Sequence, residues 1–308
     1  VMRGLPRSHK LNRRTHPPYG PARPRPAEHD PGRGDAPAFS GLIFVGGLWL
    51  GRGVSLADWA VLLTAATAAG WVDAVVGGGG LIVLPTLFVV LPGLAPQTAL
   101  GTNKIAAFSG TSAAVLTFAR KVPMRWKVLI PGAVIAALAA ACGSAAVALI
   151  DKKLFVPIVM VVLVGVAIFV TLRPSIGVTM ATHPPTRRKT ILVVALAAGL
   201  IGLYDGVLGP GTGTFLIITF ATLLGTEFVR AAAMAKVINC GSNLGSLIYL
   251  ASTGHVLWAL GLSMAVANVA GSVVGSRMAL AKGAGFVRAV LLVVVVAMVI
   301  RLGWQQFA

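Results

Sequence analysis

Charge is scarce in this chain, and acidic charge scarcest. Of 308 residues 11% are charged against 56% hydrophobic, and eight Asp or Glu stand beside 26 Lys or Arg. A soluble domain carries about 25% charged residues, so a water-soluble fold is excluded. Cysteine is nearly absent. Cys142 and Cys240 lie in apolar stretches without metal-ligand spacing, and they read as small packing residues rather than a disulfide framework. Five histidines are scattered, and there is no His-Glu-x-x-His, no Gly-x-Ser-x-Gly with a histidine, and no paired histidine. An intramembrane enzyme is therefore disfavoured, and no metal or cofactor is expected. The alternation of a β-barrel strand is missing too.

What the chain does have is apolar length. Val128–Ile150, Phe155–Leu172, Ile191–Leu208 and Val290–Leu302 are near-continuous apolar runs, and about 20 such residues span a bilayer as a helix. The expectation is an all-α integral membrane protein with several transmembrane segments. The formal charge of +18 invites a nucleic-acid reading, but the cations gather in the first 53 residues and in short loops. Loop cations fix orientation in a membrane. A lipid bilayer is the expected partner, and nucleic acid is not.

Residues 1–53 are rich in Pro and Arg with little apolar periodicity, so a disordered basic arm is expected. Its apolar run Gly41–Leu50 is too short to span. Residue 1 is Val, and the arm reads as a mis-assigned start, with the native chain beginning at Val54. The remainder divides into a first membrane repeat (54–172), a cytoplasmic linker (173–190) and a second membrane repeat (191–308).

The repeats are visible residue by residue. Asp205 follows Asp73 by 132 positions, and the same offset places Gly209 on Gly77, Gly211 on Gly79, Lys236 on Lys104, Trp258 on Trp126 and Gly275-Ser276 on Gly143-Ser144. Each copy holds an acid, a glycine break, an apolar half-segment and a lysine. As one helix, Leu56–Leu91 would measure about 54 Å against a bilayer core of about 30 Å. It must break, and Gly77–Gly80 is the place. Gly209-Pro210-Gly211 repeats the break. Basic loops flank opposite ends of the two copies: Arg120–Lys127 in the first has an uncharged mate in Ser252–Trp258, whereas Arg277, Lys282 and Arg288 match Asp151–Lys153. The repeats are thus expected to be inverted, each with a glycine-broken helix, an arrangement used by transporters.

GWVDAVVGGGGLIVLPTL with ALGTNK, and GVLGPGTGTFL with AKVINCGSNLGSL, resemble the TauE/SafE sulfite-exporter family of membrane permeases over residues 56–304. The resemblance implies eight or so spans in two repeats in the bacterial cytoplasmic (inner) membrane, and transport of sulfite, an organosulfonate or a related small anion. It fixes neither substrate nor direction.

Lys104 and Lys236 are the foremost candidates for chemistry. An ionised side chain in the bilayer core costs at least a few kcal/mol, so each lysine either attracts an anion or is tied to an aspartate, Lys104 to Asp73 or Lys236 to Asp205. Asp73 and Asp205 either couple transport to protons or serve as lysine partners and helix-end charges. Gly79, Gly80, Gly211, Thr212 and Gly213 open half-helices whose N-terminal N–H groups favour an anion, with Thr212 and Thr214 adding hydroxyls. The other role for these glycines is close helix packing. Thr102, Asn103, Asn239, Ser242 and Asn243 donate either to the anion or to neighbouring helices. Glu227 and Arg230 read as helix-start electrostatics, and Trp126 and Trp258 as an interfacial belt. The sequence supports a secondary transporter for a small anion, a passive anion channel, or an assembly subunit whose polar centre is structural.

Overall fold

In the computed structural model, the described residues are 42–45, 48–51, 54–150, 158, 161 and 185–307. The expected closing helix Leu154–Leu172, most of the linker 173–190 and residues 1–41 of the basic arm lie outside them. Two short strands, Leu42–Val45 and Leu48–Gly51, pair antiparallel. They fall inside the stretch expected to lack order. Their physical cause is legible: two β-prone apolar tetrads flank Gly46-Gly47, a hairpin sequence.

Among the described residues eight α-helices make up the membrane part. Helix α1 (Leu56–Val76) opens with a capping box between Ser55 and Asp58 and stops where Gly77 turns left-handed at φ 84°. Helix α2 (Gly80–Val90) is a half-length piece. Gly79 lies against Ala69 and Asp73 of α1, so the chain doubles back there as a re-entrant hairpin. Helix α3 (Pro96–Ala119) starts with Pro at its first position, where the lost N–H costs nothing, and α4 (Trp126–Ala146) runs back. The second set repeats the order: α5 (Arg187–Val207), the half-helix α6 (Thr212–Leu224), α7 (Phe228–Ser252) and α8 (Trp258–Phe307), the last interrupted by a non-helical Gly283.

Helices α1, α4, α5 and the Trp258–Gly283 part of α8 are long and apolar enough to cross a membrane. Their outward side chains are apolar, including Leu138, Leu196, Leu200 and Val266. The polar groups face inward: Lys104, Asp205, Lys236, Asn239 and Asn243 are all buried. This inside-out distribution is what a hydrocarbon solvent selects.

The repeats embrace by exchange. A side chain at Gly70 or Gly275 of the α1–α8 pair would strike Asn268 or Trp71, and at the mates Gly202 and Gly143 it would strike Ala136 or Leu203 of the α4–α5 pair. These contacts superpose under the 132-residue shift. The long partners of each broken helix thus come from the other repeat, at a closeness only glycine permits.

The two ends of the bundle differ. One gathers Phe118, Val122, Val128, Leu224, Phe228 and Leu280 in a single apolar cluster, and there Arg125 donates to Thr190. It carries Arg120, Lys121, Lys127, Arg187–Lys189 and Arg277. The opposite end brings Val54, Leu94, Ile150 and Val256 together, and Leu257 N–H donates to Thr102 Oγ1 at 3.1 Å. Helix α1 begins at this second end and α5 at the cationic one, so the repeats run in opposite senses. Trp126 and Trp258 follow suit: both open a helix, both are exposed, and they mark opposite ends.

Candidate functional site

The centre is built from two ion pairs, and both cross between repeats. Lys104 on α3 reaches Asp205 on α5, with Nζ 2.7 Å from Oδ2. The same ammonium donates to the Asp205 carbonyl at 3.2 Å and to Asn243 Oδ1 at 3.0 Å. Lys236 on α7 reaches Asp73 on α1, with Nζ 3.0 Å from Oδ2, and also donates to the Asp73 carbonyl. The sequence offers Lys104–Asp73 or Lys236–Asp205 as a tie and leaves open whether pairing runs within a half or across halves. The pairs found are Lys104–Asp205 and Lys236–Asp73. The exchange of helices explains the difference: α5 packs beside the first repeat and α1 beside the second, so each acid meets the other copy's lysine.

Hydroxyls and amides complete the two shells. Thr212 Oγ1 lies 2.8 Å from Asp205 Oδ1 and 2.8 Å from the Gly209 carbonyl. Around Asp73 the matching hydroxyl is that of Thr111, at 3.4 Å from Oδ2. Asn243 and Thr111 occupy repeat-related positions and touch, Asn243 Nδ2 donating to Thr111 Oγ1 at 3.5 Å. That contact links the two pairs into one polar track. The lysine side chains are 1% and 0% exposed, while the aspartates differ: 3% for Asp205 and 16% for Asp73.

Helix geometry gives depth. Lys104 is eight residues into α3 from the end opposite the cations, and Lys236 eight residues into α7 from the cationic end. At about 1.5 Å per residue each lies about 12 Å from its own end of the bundle. The two lysine backbones therefore lie on opposite sides of the centre, Lys236 toward the cationic end and Lys104 toward the other.

The glycine breaks interlock at the same level. A Cβ on Gly77 would lie 2.3 Å from the Gly213 backbone, and one on Gly213 would lie 2.4 Å from Gly77. Gly80 faces Pro210 less tightly: a Cβ there would lie 3.4 Å from the Pro210 Cα, in ordinary van der Waals contact. Thr214 Oγ1 donates to the Val76 carbonyl at 2.9 Å, so α6 begins on the end of α1. Gly79 and Gly211 are the residues preceding α2 and α6. The half-helix ends were expected to face an anion lying between them. What meets here is the end of α1, at Gly77, with the first turn of α6, at Gly213, where backbones without side chains close the gap.

The remaining candidates are dispersed. Thr102 binds the loop before α8 at the end away from the cations. Ser242 bonds within its own helix, to the Asn239 carbonyl at 3.0 Å. Asn103 is buried on α3. Thr111 escaped sequence reasoning altogether, although its register mate Asn243 had been noticed. The signal was the 132-residue offset itself, which pairs position 243 with position 111.

No solved structure matches this chain. Among curated proteins it is 37% identical over 244 residues to a probable membrane transporter protein, ORF9, of a Sinorhizobium species, covering 79% of this chain and 91% of that one. It is 32% identical over 256 residues to a probable membrane transporter protein of Haemophilus influenzae, covering 80% and 97% respectively. The same identity over 257 residues, covering 83% and 90%, relates it to the probable membrane transporter protein YfcA of Escherichia coli. The profile of the family described as Sulfite exporter TauE/SafE matches residues 62–302, and with two inverted repeats around a buried polar track, the chain is a multi-pass membrane protein belonging to that family.

Proposed function

We propose that the protein is a secondary permease for a small anion, of the sulfite, sulfonate or related sulfur-oxyanion class, working by alternating access across a bacterial cytoplasmic membrane. The family's description motivates the sulfur anion, and the positive-inside rule places the cationic end in the cytoplasm. The observation that carries the reading is the pair of crossed lysine–aspartate contacts, each with a buried lysine.

A buried pair neutralises two charges that the bilayer would otherwise exclude. An incoming anion cannot join a carboxylate directly, because like charges repel. It can replace it. The anion takes the ammonium, and the carboxylate turns to the hydroxyl it already touches, Thr111 for Asp73 and Thr212 for Asp205. A proton taken up by the released aspartate removes the charge that competes with the anion for lysine, which couples the two movements.

Two pairs, whose lysines enter from opposite ends of the bundle, supply two gates. Opening Lys236–Asp73 admits an anion from the cytoplasmic side, and opening Lys104–Asp205 admits it from outside. Asp73 is the more exposed acid, so the cytoplasmic gate is the looser one in this conformation. A passive channel requires both pairs to be open at once, and both are closed here.

The test is counterflow in proteoliposomes. Labelled sulfite and sulfoacetate should enter faster when unlabelled anion is preloaded. Flux indifferent to the preload would indicate a channel, and no flux of either anion would defeat the sulfur-anion assignment.

A further inference from the structure

The cationic end holds a cleft of about 740 Å³ that the central pairs do not use. Three elements line it: the end of α3 with its following turn (Thr117, Arg120, Lys121), the start of α7 (Glu227, Arg230) and the later part of α8 (Arg277). Four cations thus face one carboxylate. Among the described residues the ion pairs are Lys104–Asp205 and Lys236–Asp73, so none of the cleft cations is neutralised, even by Glu227 on the same wall.

Membrane orientation does not account for this convergence. Topological charge needs only a loop on the correct side, which Lys127 and Arg187–Lys189 already provide outside the cleft. Three guanidinium groups brought into one concavity do something else. Their planar forks match oxyanions, and apolar walls such as Val122, Val229 and Leu280 concentrate their field. The cleft is also carried by the helices that carry the centre. Six residues separate Arg230 from Lys236 on α7 and Thr117 from Thr111 on α3, about 9 Å of helix.

We propose that this cleft is a second oxyanion site, a cytoplasmic vestibule that holds the anion next to the Lys236–Asp73 pair. Its place in transport rests on the permease reading, but its binding chemistry does not. The same guanidinium groups suit the phosphate of an anionic lipid headgroup as well as a free anion. Glu227 opposes either occupant and keeps the affinity low enough for release.

Calorimetric titration of the full chain in phosphatidylcholine nanodiscs, with inorganic phosphate and with sulfite, tests the site. Binding should persist in Lys236→Ala/Asp73→Ala, weaken at least tenfold in Arg120→Gln/Arg277→Gln, and strengthen severalfold in Glu227→Gln. The Arg120 and Arg277 side chains are exposed, so these variants should fold. Repeating the titration with phosphatidylglycerol separates the sources: weakened phosphate binding assigns the cleft to a lipid headgroup, unchanged binding to a free anion, and either supports the site. Equal binding by wild type and the arginine variant, or no binding of phosphate or sulfite to the wild type, would overturn it. If sulfite flux survives loss of the Lys236–Asp73 pair while the arginines still control binding, the vestibule stands and the central reading fails.

Discussion

Lys104 and Asp205 lie 101 residues apart, in different repeats, with 2.7 Å between Nζ and Oδ2. The same relation holds between Lys236 and Asp73. Each repeat therefore supplies the cation of one pair and the acid of the other, and neither repeat can neutralise its own lysine. Duplication alone does not require this. It follows from the exchange that sets α1 against α8 and α5 against α4.

Crossed pairing predicts which double substitutions rescue one another. Lys104→Ala leaves Asp205 buried and unpaired, which costs about 3–5 kcal/mol. Adding Asp205→Ala should recover most of that loss, whereas adding Asp73→Ala should deepen it by breaking the second pair. Thermal unfolding in detergent ranks the variants, and rescue by Asp73→Ala instead would contradict the crossing.

Contact between the glycine breaks predicts a steep local sensitivity. Gly77→Ala forces an L side chain into the left-handed region, at about 1–2 kcal/mol, and drives its Cβ into the Gly213 backbone. The variant should lose folded yield and melt well below wild type. Gly93→Ala has nothing within 4 Å and should melt as wild type does. Equal behaviour of the two would mean that the breaks do not touch.

Inversion predicts opposite labelling. In a background with Cys142→Ala and Cys240→Ala, Lys127→Cys and Ser252→Cys occupy exposed positions after α3 and at the end of α7. A membrane-impermeant maleimide should reach the first only from the cytoplasmic side and the second only from outside. Labelling of both from one side would contradict the inverted arrangement.

Much of this architecture was legible because it is written in local pattern. Glycine runs, half-length apolar segments and the offset joining Asp73 to Asp205 announce breaks and duplication without any tertiary knowledge. Basic loops at opposite ends of the copies announced their inversion. Pairing was not legible. Which aspartate meets Lys104 depends on how the halves pack, and that is set by small residues such as Gly70, Gly143, Gly202 and Gly275, whose partners no linear pattern names. The meeting of Gly77 with Gly213 was hidden for the same reason. Glu227 and Arg230 stand at a helix start, where Glu227 makes no side-chain cap bond, and the cleft they share with Arg120 and Arg277 exists only once α3, α7 and α8 converge. The pairing of Leu42–Val45 with Leu48–Gly51 is legible in sequence from the Gly-Gly between two apolar tetrads, a signal distinct from the length that spanning requires.

The most direct measurement is sulfite counterflow in proteoliposomes for wild type, Lys236→Ala/Asp73→Ala and Lys104→Ala/Asp205→Ala at equal insertion. Removing both members of a pair avoids a stranded buried charge, so the variants should remain folded and flux should report the site alone. If the pairs hold and gate the anion, each double variant loses counterflow at least tenfold while its melting temperature stays near wild type. Counterflow at wild-type rates in both variants would mean that the crossed pairs are ties between repeats, and that the anion travels by another route.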